Sequence, residues 1–299
     1  LVILGAAVAG LTGIAAHADV SDAVINNAFA PYAKTVPTAP GYTPGVVINS
    51  KNVDALEGIL DPFTFRYIKK GWLELPTTPT FSLPQNQNYI NATRKGADKV
   101  KLSPEGTLVG FDAGRPFPQE PDAKDPQAGL KLMWNFQRSI NAGDSETINP
   151  FWWTFRNTKT GQSERQLRFD WHFLNWKHRT IFDPKPDIEP NPGQIFRSIS
   201  ANVLEPFDLA NTQLLIWRYE DDLKRDDAWL YLGFQRRVRR LAVGQITDAF
   251  LGTDAMIEDF EGYNGRLSDY TWTYRGTQNV MMPFEKHNEL PDLDSEPKG

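Results

Sequence analysis

Cysteine is absent from the 299-residue chain and histidine occurs only four times. Without a thiol there is no disulfide, no thiolate nucleophile and no thiolate metal ligand. The histidines do not compensate: His172 and His178 stand six apart, His287 lies near the C-terminus, and no spacing fits a zinc site. No metal or other cofactor is expected. Catalytic signatures are missing as well, with no G-x-S-x-G, P-loop, H-E-x-x-H or dinucleotide fingerprint. The adjacent acids Asp221-Asp222 and Glu258-Asp259 read as solvated charge rather than as a catalytic dyad. The chain is therefore not expected to be an enzyme. Basic excess is missing too, with 32 Lys and Arg against 37 Asp and Glu. A net charge of −5 argues against nucleic acid as the main partner, which needs a dense basic surface.

Long apolar runs are missing after the first residues. Leu1 to Ile14 is uncharged and rich in small apolar residues, and Ala16-His17-Ala18 follows with a small-x-small pattern. Together these predict the remnant of a secretory signal peptide, cleaved near Ala18, and a periplasmic chain working from Asp19. The competing reading is a retained membrane anchor, for which the run falls short of the roughly 20 apolar residues that span a bilayer.

Periodicity divides the remainder. Residues 19–50 are rich in Pro, Ala, Thr and Gly and read as an extended arm. Asn52 to Leu60 is a weak helix. Asp61-Pro62 starts a firmer one, Asp as N-cap and Pro at the first position, which Gly71 ends. Residues 75–100 look irregular. A short hairpin is expected on either side of Ser103 to Gly106. After Asp125-Pro126, Gly129, Leu132, Met133, Phe136 and Ile140 recur on one face of a helix. From Asn149 the pattern is that of strands: Phe151 to Arg156, Gln166 to His178, Ile195 to Leu204, Gln213 to Tyr219, Ala228 to Phe234, and Gln235 to Ala242. The Pro-rich run 183–193 must be a loop. Tyr270 to Arg275 and Asn279 to Phe284 predict a closing hairpin around Gly276, before an acidic tail at 285–299. Early helices and late antiparallel strands imply an α+β fold.

Two constellations stand out. Aromatic residues crowd the predicted strands, and Trp152, Trp171, Phe173, Trp217, Trp229 and Tyr231 are the strongest candidates to line an apolar cavity. Ordinary core packing is the competing reading. The run Arg236 to Arg240 is either a cross-strand salt-bridge network or an anion site, with Arg237 and Arg239 as the head-group candidates.

The most specific stretch is Asp227-Ala-Trp229-Leu-Tyr231-Leu-Gly-Phe-Gln-Arg236-Arg-Val-Arg-Arg240-Leu, followed by Asp248-Ala-Phe250-Leu-Gly252-Thr-Asp254 and Glu258-Asp-Phe260. With Phe111-Asp-Ala-Gly-Arg-Pro-Phe117-Pro118, Asp125 to Phe136 and Arg266 to Trp272, it resembles a proteobacterial family of uncharacterised periplasmic proteins labelled as outer-membrane lipoprotein-sorting proteins, within the LolA/LolB-like superfamily. Gly233 stands where the family usually has Pro, and Ala249 where it usually has Ser. The resemblance implies a strongly curved antiparallel half-barrel over residues 91–284, wrapped around a few helices and preceded by an arm at 19–90. It implies a carrier of a lipid or other hydrophobic ligand beside an RND-type transporter and an outer-membrane protein. Transfer of such a ligand needs an opening element, for which loop 183–193 and helix 129–140 are the candidates. An adaptor that docks the transporter without carrying ligand is the alternative.

Overall fold

The computed structural model describes residues 20–33, 35–81, 85–139, 143–241, 248–249 and 253–282. The expected signal segment, the acidic tail, Ile140 and Phe250 lie outside these residues. No helix among them is long and apolar enough to cross a membrane.

The N-terminal part is built of short, well-capped elements. Helix α1 (Asp22–Phe29) starts on the Ser21 side chain, and α2 (Pro62–Lys69) starts on Asp61, whose carboxylate accepts from the Phe63 and Thr64 amides at 3.0 Å. Helix α3 (Gln87–Gly96) is capped by Asn86. Neither α1 nor α3 was expected, and both correct the reading of 19–50 and 75–100 as irregular. Both are short and carry few large apolar residues, so their period is faint. Val53–Leu56 forms one 3-10 turn in the weak-helix region. The two-residue strands β1 (Val47–Ile48) and β2 (Leu75–Pro76) close a cluster of Ile48, Val53, Leu56, Leu60 and Ile68. β3 (Lys101–Leu102) and β4 (Leu108–Val109) form the expected hairpin around Gly106.

Helix α4 (Ala128–Gln137) forms where its period places it, yet it is rotated from the expected face. Leu132 and Phe136 are exposed, and Trp134 is wholly buried. The Trp134 indole N–H donates to the Gly106 carbonyl at 2.8 Å, so its large ring is buried without an orphaned donor.

The main sheet has six antiparallel strands: β5 (Ser145–Arg156), β6 (Ser163–Asn175), β7 (Ile195–Glu205), β8 (Gln213–Tyr219), β9 (Asp227–Leu232) and β10 (Arg237–Arg240). They pair in chain order, as a meander that stays open between edges β5 and β10. Pairing shifts interrupt β5, β6 and β7, and such irregularities increase local twist. The expected C-terminal hairpin does not form: residues 270–282 hold no strand. They run as a strap across α4, where a Cβ on Gly129 would lie 2.4 Å from the Trp272 carbonyl, and Met281 donates to Ile59 at 2.9 Å.

Candidate functional site: the aromatic sheet

The alternation along β6 decides which side chains meet. Leu167, Phe169, Trp171 and Phe173 are buried, and they register against Val203, Ala201 and Ile199 of β7, then Leu214 and Ile216 of β8. Phe151, Trp153 and Phe155 of β5 pack on the same face. The rings meet edge-on or tilted: Trp171 lies 5.5 Å from Phe151 and 6.0 Å from Phe173, and Trp153 lies 5.1 Å from Phe169. A six-residue segment, Ile257–Gly262, covers this face with Ile257 and Phe260. The Phe260 ring stands 5.0 Å from Trp171 and 6.0 Å from Trp153. At its end Glu261 (φ 56) and Gly262 (φ 91) adopt left-handed backbone. Arg197 of β7 clamps Glu261 through two bonds of 2.7 and 2.9 Å. Inside this apolar cluster the buried Trp171 indole N–H has no hydrogen-bond partner among the described residues.

The six aromatic candidates therefore do not share a surface. Trp171 and Phe173 belong to the covered face. Trp152, Trp217, Trp229 and Tyr231 belong to the other, where they are half-buried. There Trp217 and Trp229 pack edge-to-face at 4.8 Å, and the Arg168 guanidinium lies over Trp152. The same parity governs the arginines. Arg237 and Arg239 register with Leu232 and Leu230, on the side of the apolar face, while Arg240 registers with Trp229 and pairs with Asp227. All of β10 is exposed.

A second feature, at the sheet end where β6 stops and β7 starts, carries no sequence signal. The buried Arg138 guanidinium, just past α4, stacks 3.7 Å from the Phe196 ring and 5.5 Å from both Phe111 and Trp134. It pairs with Glu220 at 3.4 Å, and His178 reaches the other Glu220 oxygen at 2.9 Å. Burial alone would raise the Glu220 carboxyl, but the charge of Arg138 and the close approach of His178 outweigh it and hold the group at about 2. Burial also pushes the Tyr89 hydroxyl, which donates to the Arg138 carbonyl, up to about 12. Nearby, the Asp144 carboxylate accepts from the backbone amides of Thr180, Ile181 and Phe182. Arg179 reaches back to the Phe182 and Pro184 carbonyls, so the start of loop 183–193 is tied to the sheet.

A pocket beside Arg138 and another beside Arg218 and Asp226 each offer about 20 Å³, room for about one water.

No curated protein matches the chain. Among solved structures it is similar to a DUF1329 family protein from Desulfovibrio piger ATCC 29098, at 20% identity and a TM-score of 0.39, over 52% of this chain and 57% of that one. It is also similar to a "putative outer membrane lipoprotein-sorting protein domain" from Vibrio parahaemolyticus, at 19% identity and a TM-score of 0.36, over 49% of this chain and 52% of that one. The chain thus spans little more than half the length of these structures. The family described as "Protein of unknown function (DUF1329)" matches residues 47–297, and the chain belongs to that family.

Proposed function

We propose that the protein binds and carries a hydrophobic molecule, a lipid or another apolar chain, on the covered face of its sheet. The observation that carries this reading is the Trp171 indole N–H, buried without a partner among the described residues inside a cluster that is otherwise apolar. An unsatisfied buried donor costs about 1–3 kcal/mol. A ligand whose ester, hydroxyl or carboxyl oxygen meets that N–H while its hydrocarbon lies on Phe151, Phe169 and Phe173 removes the cost. Each methylene transferred from water adds about 0.8 kcal/mol.

The two pockets described above hold about one water each, so on this reading the structure is a closed state and uptake requires displacing a cover. Segment 257–262 suits that role better than loop 183–193, whose start is held by Asp144 and Arg179. Phe260 acts as the plug, Glu261 and Gly262 as the hinge, and the Arg197–Glu261 pair as the latch. Trp171 and Phe173 are the lining residues of this reading; Arg237 and Arg239 stand at the far edge of the same face, suited to a head group.

In this account the irregular strands curve the sheet into a half-barrel. The exported chain works in the periplasm as a binding protein rather than a catalyst, passing its ligand between an RND-type transporter and an outer-membrane protein. Native mass spectrometry of the protein purified from its own cell envelope, with lipid extraction, tests it. A bound apolar species displaced by added phospholipid or fatty acid is expected. Protein free of any such species, and unable to acquire one, would overturn the reading.

A further inference from the structure

The end of the sheet opposite Arg138 carries two neighbouring hairpin turns, 206–212 between β7 and β8 and 233–236 between β9 and β10. Because β8 pairs with β9, the turns lie side by side, and a Cβ on Gly233 would meet the Ala210 carbonyl at 2.9 Å. The three most exposed large apolar side chains among the described residues sit on these two hairpins: Phe207 at 96%, Phe234 at 67% and Val238 at 66%. They are interleaved with Arg236, Arg237 and Arg239, all exposed, and none of these has a carboxylate within ion-pair reach among the described residues. Arg239 instead donates to the Gln235 side-chain oxygen at 2.9 Å. Of the nearby acids, Glu205 is paired with Arg168 at 3.1 Å, and Asp208 sits beside Phe207. Arg236 adopts left-handed backbone (φ 50), where Gly or Asn is the low-cost choice.

Protection of an edge strand from aggregation accounts for arginines along β10. It does not account for two phenylalanines held out in water at the turns. Aromatic side chains beside unpaired cations match one surface in particular, the interface of an anionic bilayer, where apolar groups enter the acyl boundary and guanidinium groups meet phosphates.

We propose that the 206–212 and 233–236 hairpins form a membrane-docking tip. Phe207 and Phe234 insert into the lipid interface, and Arg236, Arg237 and Arg239 bind anionic head groups. This goes beyond the carrier reading and does not depend on it, since docking needs no ligand on the covered face.

The test is flotation with vesicles of phosphatidylethanolamine and phosphatidylglycerol, against vesicles of phosphatidylcholine alone. The protein is expected to float with the anionic vesicles, less so as salt rises. Phe207→Ser with Phe234→Ser should weaken binding at least tenfold with unchanged thermal unfolding, because both positions are exposed. Arg237→Glu with Arg239→Glu should weaken it by more than tenfold, since each basic residue near an anionic surface contributes about fivefold. The chain has no cysteine, so Phe207→Cys accepts a single environment-sensitive dye. Its emission should shift to the blue on adding anionic vesicles, and the same dye on Phe63→Cys, on exposed helix α2, should not shift. Failure of the unmodified protein to bind anionic vesicles, or binding by the phenylalanine double variant within twofold of it, would overturn the proposal. So would a dye at 207 that ignores lipid.

Discussion

Arg138 shows how much can depend on one residue that leaves no mark in the sequence. A buried guanidinium facing Glu220 and three aromatic rings is stable as a set and poorly stable in parts. Removing one partner of a buried pair leaves the other charge uncompensated. Arg138→Ala should therefore cost about 3 kcal/mol in denaturant unfolding, well above the effect of a typical surface change. Glu220 makes the same site pH-dependent. Its folded pKa of about 2 lies below the ordinary 4.5, so its contribution is complete above about pH 4.5 and is lost as pH falls toward 2. Tyr89 has the opposite sign. Its folded pKa is raised from 10 to about 12, so its contribution holds below pH 10 and is lost as pH climbs through 12. Unfolding curves of the protein and of Glu220→Gln, measured between pH 3 and 7, should differ most at neutral pH and converge on acidification. A constant gap across that range would contradict the assignment. Sequence made the arginine run 236–240 conspicuous and left Arg138 unremarked. Charge in a cluster is visible in one dimension, whereas burial of a lone arginine is decided by Phe196 and Glu220, some sixty to eighty residues away.

At the level of elements, legibility followed the strength of the period. β8 was readable to its ends and β7 to within one residue, while β6 starts and stops three residues before its expected bounds, although its alternation of aromatic and polar residues gave the right face. α4 was placed correctly but turned on its axis, since counting apolar residues gave no weight to Trp134 and Arg138. Segment 270–282 reads as strand because it is extended; its partner is the flank of α4 and the Ile59 carbonyl instead of a second strand. Gly129 tests this docking. Within a helix, Gly→Ala ordinarily stabilises, by up to about 1 kcal/mol in the interior and by less in the first turn, where Gly129 stands. Here the new Cβ would collide with the Trp272 backbone. Gly129→Ala should instead destabilise by at least about 1 kcal/mol and speed proteolysis within 270–282. Stabilisation would mean that the strap is not seated on α4.

For the molecule as a whole, the sheet separates its aromatic residues into a covered face and an exposed one, which no reading of composition could resolve. It also separates its two ends, one holding the Arg138 cluster and the other the exposed hairpins. On the carrier reading proposed above, the covered face takes the ligand, and the short cover held by Arg197 and Glu261 is the part that moves. Glu261→Gln keeps the shape of the latch and removes its charge, so it should raise the rate at which an apolar probe enters without lowering stability by more than about 1 kcal/mol. The most direct test is equilibrium titration of a fluorescent long-chain fatty acid into the protein, Phe260→Ala and Trp229→Ala. The expected result is saturable binding near one per chain, tightened at least fivefold when the Phe260 plug is removed, and unchanged by Trp229→Ala on the opposite face. Absence of saturable binding to both the protein and Phe260→Ala, or a loss confined to Trp229→Ala, would contradict it.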